Sequence, residues 1–328
     1  MNRITRTLTL AAAVAASIGT GASQAHAGEH VLVILDITGS MTLSSIPGMT
    51  RLDVAKERIS NFLDIVPGTP TEYALWFFEG TGYSEIYEFA DHATAAQVKS
   101  AVMAATTGGV TPLAQTVCDA VDELVFYLPS ELHTKRIYLA TDGEENASIG
   151  RCAGPSSATL YPNLTTDSWQ WKVRNMACTG SPTTPGICSG GVPPGGVTLI
   201  IDVDHLFDFI PVMSAAQSAA REALPGDRIT LSATGPRVAN ADAAFFAGLA
   251  SETHGRYAGI TPSTPPGQAV PQPGDATRDG CVNIQDRALV LQQWGTPGNG
   301  YTDFNRDGVV NIFDLQTVLQ NFGSGCNP

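Results

Sequence analysis

Val31-Leu32-Val33-Ile34-Leu35, running directly into Asp36-Ile37-Thr38-Gly39-Ser40, is the stretch that decides the fold. Five consecutive apolar residues, three of them β-branched, read as a strand buried on both faces, as in a parallel sheet covered by helices. The Asp-x-Thr-x-Ser that follows puts a carboxylate and two hydroxyls at the carboxyl end of that strand, where open α/β sheets build their sites. Such a ligand set holds a hard cation such as Mg²⁺ without saturating its charge, so the ion still seeks an anionic oxygen from outside. Taken alone, the pentapeptide reads as an ordinary strand-to-helix turn and its cap.

Working outward, Leu52, Ala55, Ile59, Phe62 and Leu63 recur at three- and four-residue steps, an amphipathic helix stopped by Pro67-Gly68. Tyr73 to Phe78 and Glu85 to Phe89 read as a hairpin around Gly80-Thr81-Gly82, and Ala93 to Ala105 as a helix. Further strands are expected at Val197 to Val203 and Gly255 to Ile260, with a helix at Ala241 to Glu252. This alternation predicts an α/β fold with a doubly wound, mostly parallel sheet. Residues 150–196 break the alternation: rich in Pro, Gly, Ser, Thr and Cys, they read as a stapled insertion that either shapes access to the strand ends or packs Trp169 and Trp171 down on the domain.

Two later segments complete the first motif. Gly108-Gly109-Val110-Thr111-Pro112 places Thr111 at a helix N-cap, with Pro112 as first helical residue of a helix reaching about Tyr127. Lys135 to Thr141 forms another strand, ending at Asp142. Asp36, Thr38, Ser40, Thr111 and Asp142 thus stand in an order and spacing that resemble the metal-ion-dependent adhesion site of a von Willebrand factor A domain. The resemblance implies a Rossmann-like A-domain fold and Mg²⁺ or Mn²⁺ at the site. The hydroxyls of Thr38, Ser40 and Thr111 would ligate the ion directly, and Asp36 and Asp142 largely through water. Thr38 stands where that family more often has serine, which keeps the oxygen and adds a methyl.

Thr261 to Pro273 is Pro-rich and reads as an extended, semi-rigid linker. Beyond it come two twelve-residue repeats, Asp275 to Asp286 and Asp303 to Asp314. Each has the pattern of a calcium loop: side-chain oxygens at positions one, three, five and twelve, glycine at six, a carbonyl at seven. The ligands read are Asp275, Thr277, Asp279, Cys281 and Asp286 in the first, and Asp303, Asn305, Asp307, Val309 and Asp314 in the second, for two Ca²⁺. Helices are expected at Arg287 to Trp294 and Leu315 to Phe322, with Val282, Leu289, Leu291, Val310, Ile312, Leu315, Val318 and Leu319 as core. Asn at position nine with Asp at twelve resembles a dockerin, which implies a small all-α module and a cohesin domain as docking partner. Thr277 at position three and the pairs Ile284-Gln285 and Ile312-Phe313 depart from that family's pattern. A purely stabilising calcium module is the alternative.

The chain has 328 residues and a net charge of −13, with a pI near 4.7, which argues against nucleic acid or an anionic membrane as partner. Arg3 and Arg6, the apolar run Leu8 to Ile18 and Ala25-His26-Ala27 read as a signal peptide over residues 1–27, so the mature chain is expected to be exported to the periplasm, cell surface or medium, with no membrane insertion. The expected layout is then 28–260 for the α/β domain, 261–273 for the linker and 274–328 for the calcium module. Six cysteines in an oxidising compartment predict disulfides. Cys281 and Cys326 bracket the C-terminal module. Among the three pairings open to the others, Cys118–Cys152 with Cys178–Cys188 is preferred, the latter closing a short Pro/Gly-rich loop. Asn146 and Asn163 match the glycosylation pattern, which carries little weight if the chain is bacterial, as expected here.

Three functional classes follow. The leading one is an exported binding protein without catalytic residues, capturing a carboxylate of a protein or glycan ligand. The second is a structural surface or matrix component. The third is a phosphatase-like hydrolase using Asp202 and Asp204, for which Arg228 and Asp242 are isolated candidates and the expected threonine is absent. His205 has no nearby Ser or Cys in a nucleophile-elbow pattern, so a hydrolase triad is not expected.

Overall fold

The computed structural model describes residues 28–131, 133–143, 145–188, 191–193, 196–207, 235–298 and 301–326. The expected signal peptide and Arg228 lie outside them. A sheet of order β5-β4-β1-β6-β7-β8 is built from β1 (Glu29–Asp36), β4 (Thr71–Glu79), β5 (Gly82–Tyr87), β6 (Thr134–Thr141), β7 (Leu199–Leu206) and β8 (Tyr257–Ile260). All neighbours are parallel except β4 with β5, the hairpin on the edge. A small antiparallel pair, β2 (Ser44–Ile46) and β3 (Met49–Thr50), precedes α1 (Arg51–Asp64). The Thr50–Asp53 capping box starts that helix.

The period-two alternation of strand side chains divides the core between the two faces of the sheet. Leu32, Ile34, Trp76, Ile137, Leu139, Ile201 and Val203 pack with α3 (Leu113–Phe126), α4 (Trp169–Thr179) and α5 (Gly235–Glu252). Val31, Val33, Leu35, Leu75, Phe77 and Tyr138 pack with α1 and α2 (Ala95–Ala104).

Three features differ from expectation. The insertion contains a regular helix, α4, which puts Trp169, Val173, Met176 and Ala177 into the core. Ser168 caps its start and Gly180, in the left-handed region, its end. The linker is not extended throughout: Pro266–Ala269 form a short helix (α6), Ala269 is fully buried, and Arg58 Nη1 donates to its carbonyl at 2.7 Å. The C-terminal helices, α7 (Ile284–Gln292) and α8 (Ile312–Gln320), begin three residues early, because Asn283 and Asn311 are their N-caps. That register turns Val290 inward and leaves Leu291, Ile312 and Leu319 exposed, so those three leave the expected core. Ala276 and Phe304 join Val282, Val310 and Val318 there.

The structure joins Cys118 to Cys152, Cys178 to Cys188 and Cys281 to Cys326. Closing the 45-residue span between Cys281 and Cys326 restricts the unfolded chain by about 2–4 kcal/mol.

Two buried imidazoles set an acid limit. Burial pushes His30 and His205 down to about 3, with the Lys135 and Arg51 charges adding to the respective shifts. An unfolded histidine titrates near 6.5. Below that value the unfolded chain therefore binds more protons than the folded one, and stability falls as pH falls toward 3. Chemical unfolding at saturating Mg²⁺ and Ca²⁺ is expected to show a loss of up to about 1.4 kcal/mol per pH unit for each ring below pH 6.5. A stability flat from pH 7 to pH 5 would contradict this.

Candidate metal centre at the strand ends

Because β1 is an interior strand with every residue buried, its last residue, Asp36, emerges fully enclosed at the carboxyl edge of the sheet. Its Oδ1 accepts from the Thr38 backbone N–H at 2.9 Å and from Thr38 Oγ1 at 2.6 Å, and its Oδ2 accepts from Thr141 Oγ1 at 2.7 Å. Thr38 Oγ1 lies 3.1 Å from Ser40 Oγ. Both hydroxyl oxygens keep lone pairs for a further contact.

The second loop is stitched to the first through its backbone. Gly108 N–H donates to the Ile37 carbonyl at 2.7 Å, and Gly39 N–H to the Gly109 carbonyl at 3.1 Å. Gly109 has φ +70°, and a Cβ there would fall 2.5 Å from Gly80 N, so only glycine lets this loop lie against the β4–β5 turn. Thr111 is buried, but it is not the cap that was expected: α3 starts at Leu113, and Pro112 stands at the N-cap. The first free N–H groups of α3 are met from the Asp142 side, Ala114 donating to Glu145 Oε2 at 2.6 Å and Gln115 to Ser148 Oγ at 2.9 Å. The Thr111 hydroxyl is thereby released from capping.

Asp142 follows β6. Its Oδ2 accepts from Arg51 Nη1 at 2.7 Å, while its Oδ1 is buried with no hydrogen-bond partner. Burial, reinforced by the Asp142 charge, pushes the Asp36 carboxyl up to about 7. Two buried carboxylates, one orphaned oxygen and neighbouring hydroxyls form an all-oxygen set whose negative charge Arg51 only partly offsets, and this donor chemistry fits Mg²⁺ or Mn²⁺. Direct hydrogen bonds unite Asp36, Thr38 and Ser40; backbone contacts bring in the Thr111 loop, and Thr141 ties the Asp142 loop to Asp36. Arg51 and Thr141 belong to the site although the motif does not contain them. Thr141 adjoins Asp142, and the Thr50–Asp53 capping pair marks where Arg51 enters, but its reach to Asp142 is a tertiary contact.

The C-terminal loops have the same oxygen chemistry. Asp275 Oδ2 accepts from Gly280 N–H at 2.9 Å, and Asp286 Oδ1 accepts from Thr277 N–H at 2.8 Å and from Thr277 Oγ1 at 2.9 Å. In the second loop Asp303 Oδ1 is buried without a partner, and burial with the nearby Asp314 charge pushes that carboxyl up to about 6. Asp314 Oδ1 accepts from Phe304 N–H at 2.7 Å. The other expected ligands are held by hydrogen bonds within their loops: Asp279 Oδ1 accepts from Cys281 N–H at 2.9 Å, Asp307 Oδ1 from Val309 N–H at 3.0 Å, and Asn305 Nδ2 donates to Asp307 Oδ2 at 2.9 Å.

Asp202 and Asp204 are held in buried ion pairs. Asp202 pairs with Arg136 at 2.6 Å and Asp204 with Arg58 at 2.5 Å, and Tyr138 also donates to Asp204; all four charged groups are buried. His30, Glu131 and His133 bring ligand atoms within 4.8 Å of one another. Lys135 Nζ, 2.5 Å from His30 Nδ1, supplies a cation to that group, which is a hydrogen-bonded network.

No family model matches this chain, and no curated protein does. Among solved structures, a von Willebrand factor type A protein from Catenulispora acidiphila aligns at 15% identity over 74% of this chain and 40% of its own, with a TM-score of 0.42. The SpRpn10 VWA domain aligns at 12% identity over 72% of this chain and 90% of its own, with a TM-score of 0.40. An aerotolerance-related membrane protein from Bacteroides fragilis aligns at 15% identity over 71% and 91%, with a TM-score of 0.39. These are partial likenesses; the fold rests on the sheet order and registers given above.

Proposed function

We propose that the chain is an exported, metal-dependent binding protein. Residues 28–260 act as an A-type domain in which Asp36, Thr38, Ser40, Thr111 and Asp142 hold Mg²⁺ or Mn²⁺. The bound ion supplies an open coordination position that takes a carboxylate of a protein or glycan ligand. The observation that carries this reading is Asp142 Oδ1, buried and unpartnered beside the buried Asp36 carboxyl. An uncompensated buried oxygen of this kind costs several kcal/mol, on the order of 1–3 for the lost hydrogen bond alone, and a cation offsets it. Thr38, Ser40 and Thr111 would offer hydroxyl oxygens to the ion and Asp36 and Asp142 their charge, the α3 N–H groups being met by Glu145 and Ser148 rather than by Thr111. Catalysis is not part of the proposal.

Residues 274–328 are read as a dockerin-like unit ordered by two Ca²⁺. A cohesin-type partner would meet Ile284, Ile312 and Phe313, which stand exposed at the starts of α7 and α8. Location outside the cytoplasm follows from the N-terminal segment and accords with the three disulfides. Among the described residues no helix is long and apolar enough to cross a membrane.

The test is capture of exported proteins and acidic glycans of the producing organism on the immobilised chain. Capture is expected in Mg²⁺ or Mn²⁺, to be lost in chelator, and to be lost in Asp36→Asn with calcium kept saturating. Capture that is equal in all three conditions would reject the metal reading.

A further inference from the structure

Position four of each calcium loop is an arginine, Arg278 and Arg306, and both hold the left-handed backbone, with φ 59° and 57°. Neither extends into solvent. The Arg306 side chain is 4% exposed, lies 3.6 Å from Glu29 Oε2 at the start of β1, and stacks its guanidinium 4.0 Å over the ring of Phe62 in α1. Arg278 stacks 3.4 Å over Tyr301, beside a cavity that Arg58, Asp204 and Pro271 also line. Around Arg306 the backbones meet as well: Gly68 N–H donates to the Asn305 carbonyl at 2.7 Å, and Ile65 packs on the small C-terminal core. A Cβ on Gly68 would fall 2.5 Å from Asp307 Cβ, so this approach needs glycine.

From these contacts, and resting on the calcium-loop reading above, we infer that the docking partner of the second calcium loop is the chain's own α/β domain. Calcium, by holding Asn305 and Asp307 in the loop, sets the turn at position four that drives Arg306 between Glu29 and Phe62. Three physical features make this contact dependent on the loop. A non-glycine residue in the left-handed region costs energy unless its surroundings enforce it. A buried guanidinium is costly to desolvate, and the Nε, Nη1 and Nη2 atoms of Arg306 have no direct hydrogen-bond partner, so Glu29 and the Phe62 face carry most of the compensation. The residues that touch Gly68, Asn305 and Asp307, are also those read as metal ligands, so loop order and docking share atoms. Calcium therefore fastens the end of α1, the linker and β1 together, and its removal frees them while the disulfide keeps the C-terminal unit closed on itself.

Hydrogen exchange on the full chain, with Mg²⁺ constant and calcium either saturating or removed by a calcium-selective chelator, tests this. Amides of residues 62–68 and 266–271 are expected to exchange at least about tenfold faster without calcium. Gly68→Ala, kept in saturating calcium, is expected to reproduce that increase at residues 62–68 while still binding two Ca²⁺, and Arg306→Met to do the same. If the chain binds no calcium, the loop reading itself fails. If it binds two Ca²⁺ but exchange at residues 62–68 is unchanged by chelation or by Gly68→Ala, the intramolecular docking is overturned and the loop reading stands.

Discussion

Mn²⁺ titrated into the calcium-saturated chain is expected to fill one further site, and Asp36→Asn to weaken that binding by about 100-fold or more. The substitution keeps the shape at the end of β1 but turns one of the two acceptor oxygens, which take bonds from Thr38 and Thr141, into an N–H donor and removes one of the two buried carboxylates. Its Thr38 and Thr141 contacts leave little room for an alternative geometry. Asp142→Ala is the less clean variant, because it also removes the carboxylate that accepts from Arg51, whose side chain is 5% exposed. Loss of binding there would mix metal chemistry with a destabilised α1 entry. Calorimetry that returns equal Mn²⁺ affinity for the wild type and Asp36→Asn would remove the metal from these loops.

A comparably large effect, on stability rather than binding, is expected from Asp204→Ala. The substitution leaves the buried Arg58 guanidinium without its ion pair and the Tyr138 hydroxyl without its acceptor. Breaking one side of a buried pair typically costs about 3–5 kcal/mol. In a domain of this size that corresponds to a fall in Tm of roughly 6–20 °C. Because Asp204 holds the sheet to α1 and, through Arg58, to the linker at Ala269, the loss should appear as cooperative unfolding with Mn²⁺ binding of the remaining folded protein unchanged. A stable Asp204→Ala protein that had lost a hydrolytic activity present in the wild type would instead revive the phosphatase alternative.

Elements governed by local chemistry were legible in the sequence. The Val31–Leu35 run had to be an interior strand, the Gly80–Gly82 turn had to close a hairpin, and two repeats with glycine at position six had to turn alike. What escaped was set by contacts distant in sequence. Thr111 looked like a cap because hydroxyls often serve there, yet Glu145 and Ser148 reach α3 from the next strand end and displace it. Helix α4 was hidden by the Pro, Gly and Ser around it, although Trp169, Val173, Met176 and Ala177 carry a helical spacing between Ser168 and Gly180. The proline-rich linker suggested a spacer; the guanidinium of Arg58, arriving from 211 residues earlier, holds it down. At the metal centre the five motif residues could be named from spacing, whereas Arg51 could not, because only the folded α1 brings it to Asp142.

The most direct test of the metal-dependent binding reading is an anomalous diffraction map from crystals grown with Mn²⁺ and saturating Ca²⁺. A Mn²⁺ peak is expected at the ends of β1 and β6, in contact with the hydroxyls of Thr38, Ser40 and Thr111, with Asp36 and Asp142 held through water and at least one coordination position filled from outside the chain. A map with no Mn²⁺ at these loops, or with an ion whose coordination is completed by protein atoms alone, would contradict it.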